Sequence, residues 1–196
     1  LAMAQWTQHQ GLWLDCTGEG ALAIAQSAGV ERSNILVHGV NKSQSDITAA
    51  FQVAGTIVVD NLTELERIAN LARIWNGRVP DLWLRLRPGL AVETHKHTQT
   101  GQSDSKFGMS PEELIEAVEA SRAQGLPLSG LHFHQGSHFH DPAPLSPAIQ
   151  TSLDLLVELK QRKGWIPAVF CTGGGWGVPY HEQDLPHPQV EQYIQV

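Results

Sequence analysis

Residues 35–60 read ILVHGVNKSQSDITAAFQVAGTIVVD. Ile35, Leu36 and Val37 form a short apolar run that stops at His38-Gly39. A helical stretch follows from about Ser45 to Val53 and is stopped by Gly55. Thr56, Ile57, Val58 and Val59 form a second apolar run that ends at Asp60. Two runs this short and this apolar read as strands, and the helix between them serves as a crossover. A strand, a crossover helix and a second strand make a parallel pair.

The same unit recurs in both directions. Upstream, residues 1–9 have helical spacing. The strand Leu12-Trp13-Leu14 then ends at Asp15, and a helix spans about Ala21 to Ala28, stopped by Gly29. Downstream, residues 62–75 form an amphipathic helix with Leu65, Ile68, Leu71 and Ala72 on one face. The strand from Leu82 to Leu86 breaks at Arg87-Pro88-Gly89. Residues 90–110 form a polar loop too long for a plain connection, which predicts a functional lid. Ser110-Pro111-Glu112-Glu113 opens the next helix with a serine N-cap, proline at N1 and acids in the first turn. GLHFHQGSHFH, residues 130–140, is the fifth strand and its loop, followed by a helix over about 147–163. The sixth strand, Ala168-Val169-Phe170-Cys171, leads to Gly173, Gly174 and Gly175, and a last helix begins near Gln189.

Six strand–helix units predict an α/β protein with a parallel sheet. A doubly wound sheet concentrates its site at one switch point. Here polar residues end every strand, with Asp15, His38 and Asp60 at a spacing of twenty-odd residues. A (β/α)8 TIM-type barrel gathers all strand C-termini at one face, so the barrel is the expected fold. Six units fall short of eight, and the expectation is that residues 1–196 are an internal piece of a longer barrel.

Composition narrows the partners. Hydrophobic residues make up 41%, enough for a core, and the net charge of −7 without a Lys/Arg run argues against nucleic acid. A small-molecule partner is expected. No stretch reaches membrane-span length. Cys16 and Cys171 lack CxxC spacing and read as reduced thiols of a cytosolic protein.

Three glycines after a strand let backbone N–H groups converge, which suits a phosphate; a tight strand-to-helix turn is the plainer reading of the same run. Ser137 can add a hydroxyl to that phosphate, and the imidazole of His134 can stack on a flat ring. His132-x-His134 also has the spacing of a barrel metal site, with Asp15, His38 and Asp60 as further ligands, but that reading leaves the glycines and Ser137 without a role. No metal is therefore expected. Arg85 is read as pointing into the barrel mouth toward an acid, Arg87 as solvated, and Lys42 and Lys106 as exposed.

The motifs HGVNKSQSDI, VDNLTELERI, LRLRPG, GLHFHQGSH and GGGWGVPY, in this order, resemble the barrel of the fold-type III, alanine racemase-like, pyridoxal phosphate-dependent decarboxylases. That group acts on diaminopimelate, ornithine and arginine. The THxxxxTGxxxSKFG pattern over residues 94–108 is most similar to the diaminopimelate branch. The resemblance implies a pyridoxal 5'-phosphate enzyme converting meso-diaminopimelate to L-lysine and CO2 in the cytoplasm as a homodimer. It implies that His134 stacks on the cofactor ring and that Ser137, Gly173, Gly174 and Gly175 bind its phosphate. It also matches Arg85 to the strand arginine and Asp15 to the aspartate near the cofactor-linked lysine. That lysine is expected before Leu1, and the acid segment for the pyridine nitrogen and a C-terminal β-domain after Val196. The isolated segment is expected to be inactive. Three positions depart from the family: Gly18 and Ala21 replace a serine and a glutamate, and Cys171 replaces Asn or Asp. The alternatives are a non-catalytic pyridoxal phosphate-binding regulator and a metal-dependent barrel hydrolase.

Overall fold

The computed structural model describes residues 1–89, 105–138, 140–181 and 188–196. Most of the loop expected to act as a lid falls on residues 90–104, outside the described residues.

Among the described residues, six strands alternate with helices as the repeat predicts: β1 (Leu14–Cys16), β2 (Ile35–Val37), β3 (Thr56–Val59), β4 (Asp81–Arg85), β5 (Leu128–His132) and β6 (Val169–Cys171). The helices are α1 (Ala2–His9), α2 (Glu19–Ser27), α3 (Gln44–Val53), α4 (Leu62–Ile74), α5 (Pro111–Ala123), α6 (Leu145–Lys163) and α7 (Val190–Ile194). The sheet order is β1-β2-β3-β4-β5-β6, and every pairing is parallel. Strictly sequential order has no switch point, so the doubly wound alternative is excluded.

The sheet is curled. Strands β2 and β5 are three spacings apart, about 14 Å in a flat sheet. Yet the rings of His38, just past β2, and His132, on β5, have centroids 4.8 Å apart. Trp13, before β1, stacks on Trp83 of β4 at 5.6 Å. Both contacts need a surface closing on itself, which makes this a six-stranded part of a barrel.

Strand alternation separates two environments. Ile35, Val37, Ile57, Val59, Leu82, Leu84 and Leu131 pack with Leu65, Ile68, Leu114 and Val118 of the helices in one buried cluster. The alternate residues point inward, among them Trp83, Arg85, Gly130 and His132. A Cβ on Gly130 would lie 2.3 Å from the Trp83 ring, so the indole occupies the volume that Gly130 leaves. A glycine in mid-strand has a packing reason here.

Helix starts follow local chemistry. Ser110 and Glu113 form the capping box of α5, with Pro111 in its first turn. Ser43 and Asp46 do the same for α3. The Asp46 carboxylate also accepts the Glu19 N–H at the start of α2, at 3.0 Å. A Cβ at Gly18 would sit 3.1 Å from Asp46 Oδ1. The small residue at position 18 is thus what lets one carboxylate cap two helices.

Asp46→Ala is expected to destabilise the protein by about 1–2 kcal/mol, the cost of a lost cap. The Ser43 hydroxyl, first, and the Ser43 and Glu19 N–H groups hold the Asp46 carboxyl below its ordinary pKa. A folded-state pKa below the unfolded one stabilises above the unfolded value, and that stability is lost as pH falls through the folded value. Denaturant melts should therefore separate wild type from Asp46→Ala at neutral pH and converge in acid. A gap that persists in acid would refute this account.

Two expectations are corrected. Lys42 is buried, because its three N–H donors find Gly39 O, Val58 O and Glu64 Oε1, each at 2.7 Å. Arg87 lies beyond β4 and is only partly exposed: it donates to Ser105 O and Gly108 O and faces Glu113 at 3.7 Å. Lys106 is exposed as expected. Among the described residues, no helix is long and apolar enough to cross a membrane. Both cysteines carry free thiols.

Candidate active site

The curl brings the strand C-termini around a cleft of about 410 Å³. Strand β1 contributes Asp15, β2 and its end Leu36 and His38, and β5 and its end His132 and His134. Cys171 of β6 and the turn Gly173, Gly174 and Gly175 close the side. Of the residues expected in the site, Asp15, His134 and the three glycines thus meet in one cavity. Ser137 is exposed at its rim, with Oγ 3.4 Å from His134 Nε2.

The glycine turn is built against the end of β5. Gly173 has φ +74°, and a Cβ there would lie 2.5 Å from Phe133 O. Gly175 has φ +96°, and a Cβ there would lie 1.8 Å from Gly136 O. A Cβ on Gly174 would meet nothing within 4 Å. Two glycines are therefore demanded by close backbone approach, and the third faces open space.

The Gly174 N–H donates to His134 Nδ1 at 3.3 Å. Burial, with Arg85 and His38 adding and Asp15 opposing, pushes the His134 pKa down to about 4. His134 is therefore neutral at physiological pH. Because Nδ1 accepts, Nε2 carries the proton and faces Ser137 Oγ as donor. The Ser137 hydroxyl hydrogen is left to donate elsewhere. Burial, first, and Asp15 push the Cys171 thiol up, and the Gly173 N–H pulls it back.

Arg85 reaches an acid as expected, but beneath the cleft. It donates to Asp60 Oδ1 at 2.8 Å, with the two side chains 4% and 1% exposed. Its guanidinium also lies 4.8 Å from the centre of the Phe107 ring. The other oxygen of Asp60 accepts the Gly108 N–H at 3.2 Å. Arg85 thus ties β4, β3 and residues 107–108 together. Burial dominates in lowering its pKa, against Asp60 and Asp15.

Sequence reasoning missed the Lys42–Glu64 pair and the contact between His38 and His132. Position was the available signal, since His38 and Lys42 follow the end of β2, the edge that supplies the site. His134 Nδ1 accepts a backbone N–H and His132 packs edge-on to His38 at 70°. Among the described residues, no group of three or more His, Cys, Asp or Glu is arranged to hold a metal.

A neutral flat imidazole beside a glycine turn free of side chains fits a planar aromatic ring carrying a phosphate. The comparisons agree. The family described as pyridoxal-dependent decarboxylase, pyridoxal binding domain, matches residues 1–196. The diaminopimelate decarboxylase of Halalkalibacterium halodurans is 35% identical over 198 residues, covering 99% of this chain and 45% of that protein. That of Mycobacterium bovis is 36% identical over 198 residues, covering 96% and 44%. Among solved structures, Helicobacter pylori diaminopimelate decarboxylase complexed with L-lysine superposes with a TM-score of 0.90 at 26% identity, covering 99% of this chain and 49% of that one. The lysine/ornithine decarboxylase of Vibrio vulnificus complexed with cadaverine gives 0.76 at 25% identity, covering 94% and 46%. The chain spans about half the length of these relatives.

Proposed function

This chain belongs to the pyridoxal-dependent decarboxylases, and on that footing we propose that the full protein converts meso-diaminopimelate to L-lysine and CO2. The observation that carries the reading is the neutral His134 ring held against the Gly174 N–H at the wall of the cleft. The branch rests on the curated relatives, which are diaminopimelate decarboxylases at 35–36% identity. The Helicobacter pylori structure, complexed with L-lysine, adds support.

In this reading His134 stacks on the cofactor ring. Being neutral, it adds no charge to the ring's face. The Ser137 hydroxyl would donate to the phosphate, and the turn Gly173, Gly174 and Gly175 would hold it, with the Gly174 N–H shared between the phosphate and His134 Nδ1. Asp15 stands at the mouth, and Arg85 positions β4 and residues 107–108 through Asp60 without touching the reacting atoms. The chemistry supplied by bound pyridoxal phosphate is an electron sink for the pair left when a carboxylate departs as CO2. The relatives are about twice as long as this chain, and in this reading residues 1–196 belong to the barrel domain that holds the cofactor. The protein works as a cytoplasmic homodimer on a small amino acid.

The full-length protein reconstituted with pyridoxal phosphate is expected to release lysine and CO2 from meso-diaminopimelate and to leave ornithine and arginine intact. Turnover of either of those two without diaminopimelate would overturn the substrate. A loaded protein that decarboxylates none of the three would favour a non-catalytic role. Ser137→Ala is expected to weaken the cofactor about tenfold, one hydrogen bond to a charged group, with the fold unchanged.

A further inference from the structure

We propose that Asp15, through its charge beside His38, and His38, through a hydrogen bond to His132, form a chain that fixes His132 as an oriented acceptor at the cleft. Asp15 Oδ2 lies 3.6 Å from His38 Nδ1. That is too long for a hydrogen bond, but close enough for the carboxylate charge to favour the proton on Nδ1. The other nitrogen, His38 Nε2, is then a bare acceptor. It is buried, and among the described residues it has no hydrogen-bond partner. His132 Nδ1 is in the same position, in a residue only 3% exposed.

The two rings touch, with centroids 4.8 Å apart at an interplanar angle of 70°. With centroids this close, turning a ring carries perimeter nitrogens toward each other and toward hydrogen-bond range. Two buried polar atoms lacking partners, one a required acceptor, are both satisfied when His132 Nδ1–H donates to His38 Nε2. His132 remains neutral, because burial, with His38, Arg85, His134 and Lys42 adding, drives its pKa well below the ordinary value. A neutral imidazole with its proton on Nδ1 carries its lone pair on Nε2. All three residues line the cleft, so the chain runs from Asp15, whose side chain is 54% exposed, to the buried His132. On the reading that the cleft takes pyridoxal phosphate and an amino acid, Nε2 accepts an O–H or N–H hydrogen of that pair. Asp15 and His38 act through His132 and are positioning residues.

The test is nitrogen NMR of histidine-labelled full-length protein at neutral pH, with and without pyridoxal phosphate. His38 and His132 are each expected to carry the proton on Nδ1. Asp15→Asn, a change at an exposed side chain, should move the His38 proton toward Nε2 and with it disturb the His132 tautomer. His38→Gln places an amide oxygen near the position of Nε2 and should keep His132 in its wild-type tautomer. His38→Leu should lose that tautomer and weaken the cofactor about tenfold, roughly one hydrogen bond. A wild-type His132 protonated on Nε2, or a tautomer indifferent to His38→Leu, overturns the chain. Failure of every variant and the wild type to bind pyridoxal phosphate would sink the cofactor reading instead, since the tautomers are read without it.

Discussion

Gly175→Ala in the full-length protein is expected to abolish tight cofactor binding and to lower stability by about 3 kcal/mol or more, from a left-handed backbone and overpacking together. The backbone at Gly175 has φ +96°, and the added Cβ would stand 1.8 Å from Gly136 O. Gly136 is backbone two residues from His134 and next to Ser137, so the collision cannot be relieved by a side chain turning away. Either the glycine turn or the loop after β5 must move, and each carries part of the proposed phosphate seat. Gly174→Ala is the informative partner. A Cβ there meets nothing within 4 Å, so stability should hold or rise slightly as the unfolded chain loses freedom. Its methyl group nevertheless enters the side proposed for the phosphate, and cofactor affinity should fall. Denaturant melts and a pyridoxal phosphate titration on both variants decide the matter. A Gly175→Ala protein of wild-type stability would refute the packing argument. A Gly174→Ala protein of wild-type affinity would remove the phosphate from this turn.

The parts of the fold legible in the sequence were those set by neighbouring residues. Ser110-Pro111 announced α5, and Gly29 and Gly55 mark places where helical pattern stops. Strand limits were less legible, because a register is chosen by the partner strand. The run Leu12-Trp13-Leu14 reads as β1, yet Leu14 pairs with Ile35 and the strand is Leu14–Cys16. Trp13 is drawn instead to the Trp83 ring, a contact seventy residues away that only curling creates. The site divides in the same way. Glycines after β6 and imidazoles after β5 could be read from type and position. The partner of Arg85, Asp60, lies 25 residues back and that of Lys42, Glu64, 22 ahead, and no local pattern marks a lysine as buried. Lysine in a polar stretch is ordinarily solvated. What overrides that default is a set of three acceptors that β2, β3 and α4 place around one ammonium group.

That set predicts a second large effect. Lys42→Met removes the ammonium and leaves Glu64, itself 3% exposed, without its counter-ion. Breaking a buried pair from one side costs about 3–5 kcal/mol. Lys42→Met combined with Glu64→Leu removes both charges and should recover most of that loss, because a buried pair is worth little against apolar residues of similar volume. The pH dependence separates this from simple loss of packing. In the wild type, burial already raises the Glu64 pKa, against the pull of Lys42 and the Asp60 N–H. Without Lys42 the folded-state value rises further. A carboxyl whose folded pKa is raised contributes stability below its unfolded pKa and loses it as pH climbs through the folded one. The single variant should therefore be most stable in mild acid and weaken toward neutrality, while the double variant lacks this slope. Cofactor affinity should fall with it, because the same ammonium holds Gly39 O and Val58 O. Those carbonyls adjoin His38 and lie close to Asp60, the residues that shape the cleft and anchor Arg85. A single variant as stable as the double at neutral pH would show that Glu64 finds another way to be neutralised.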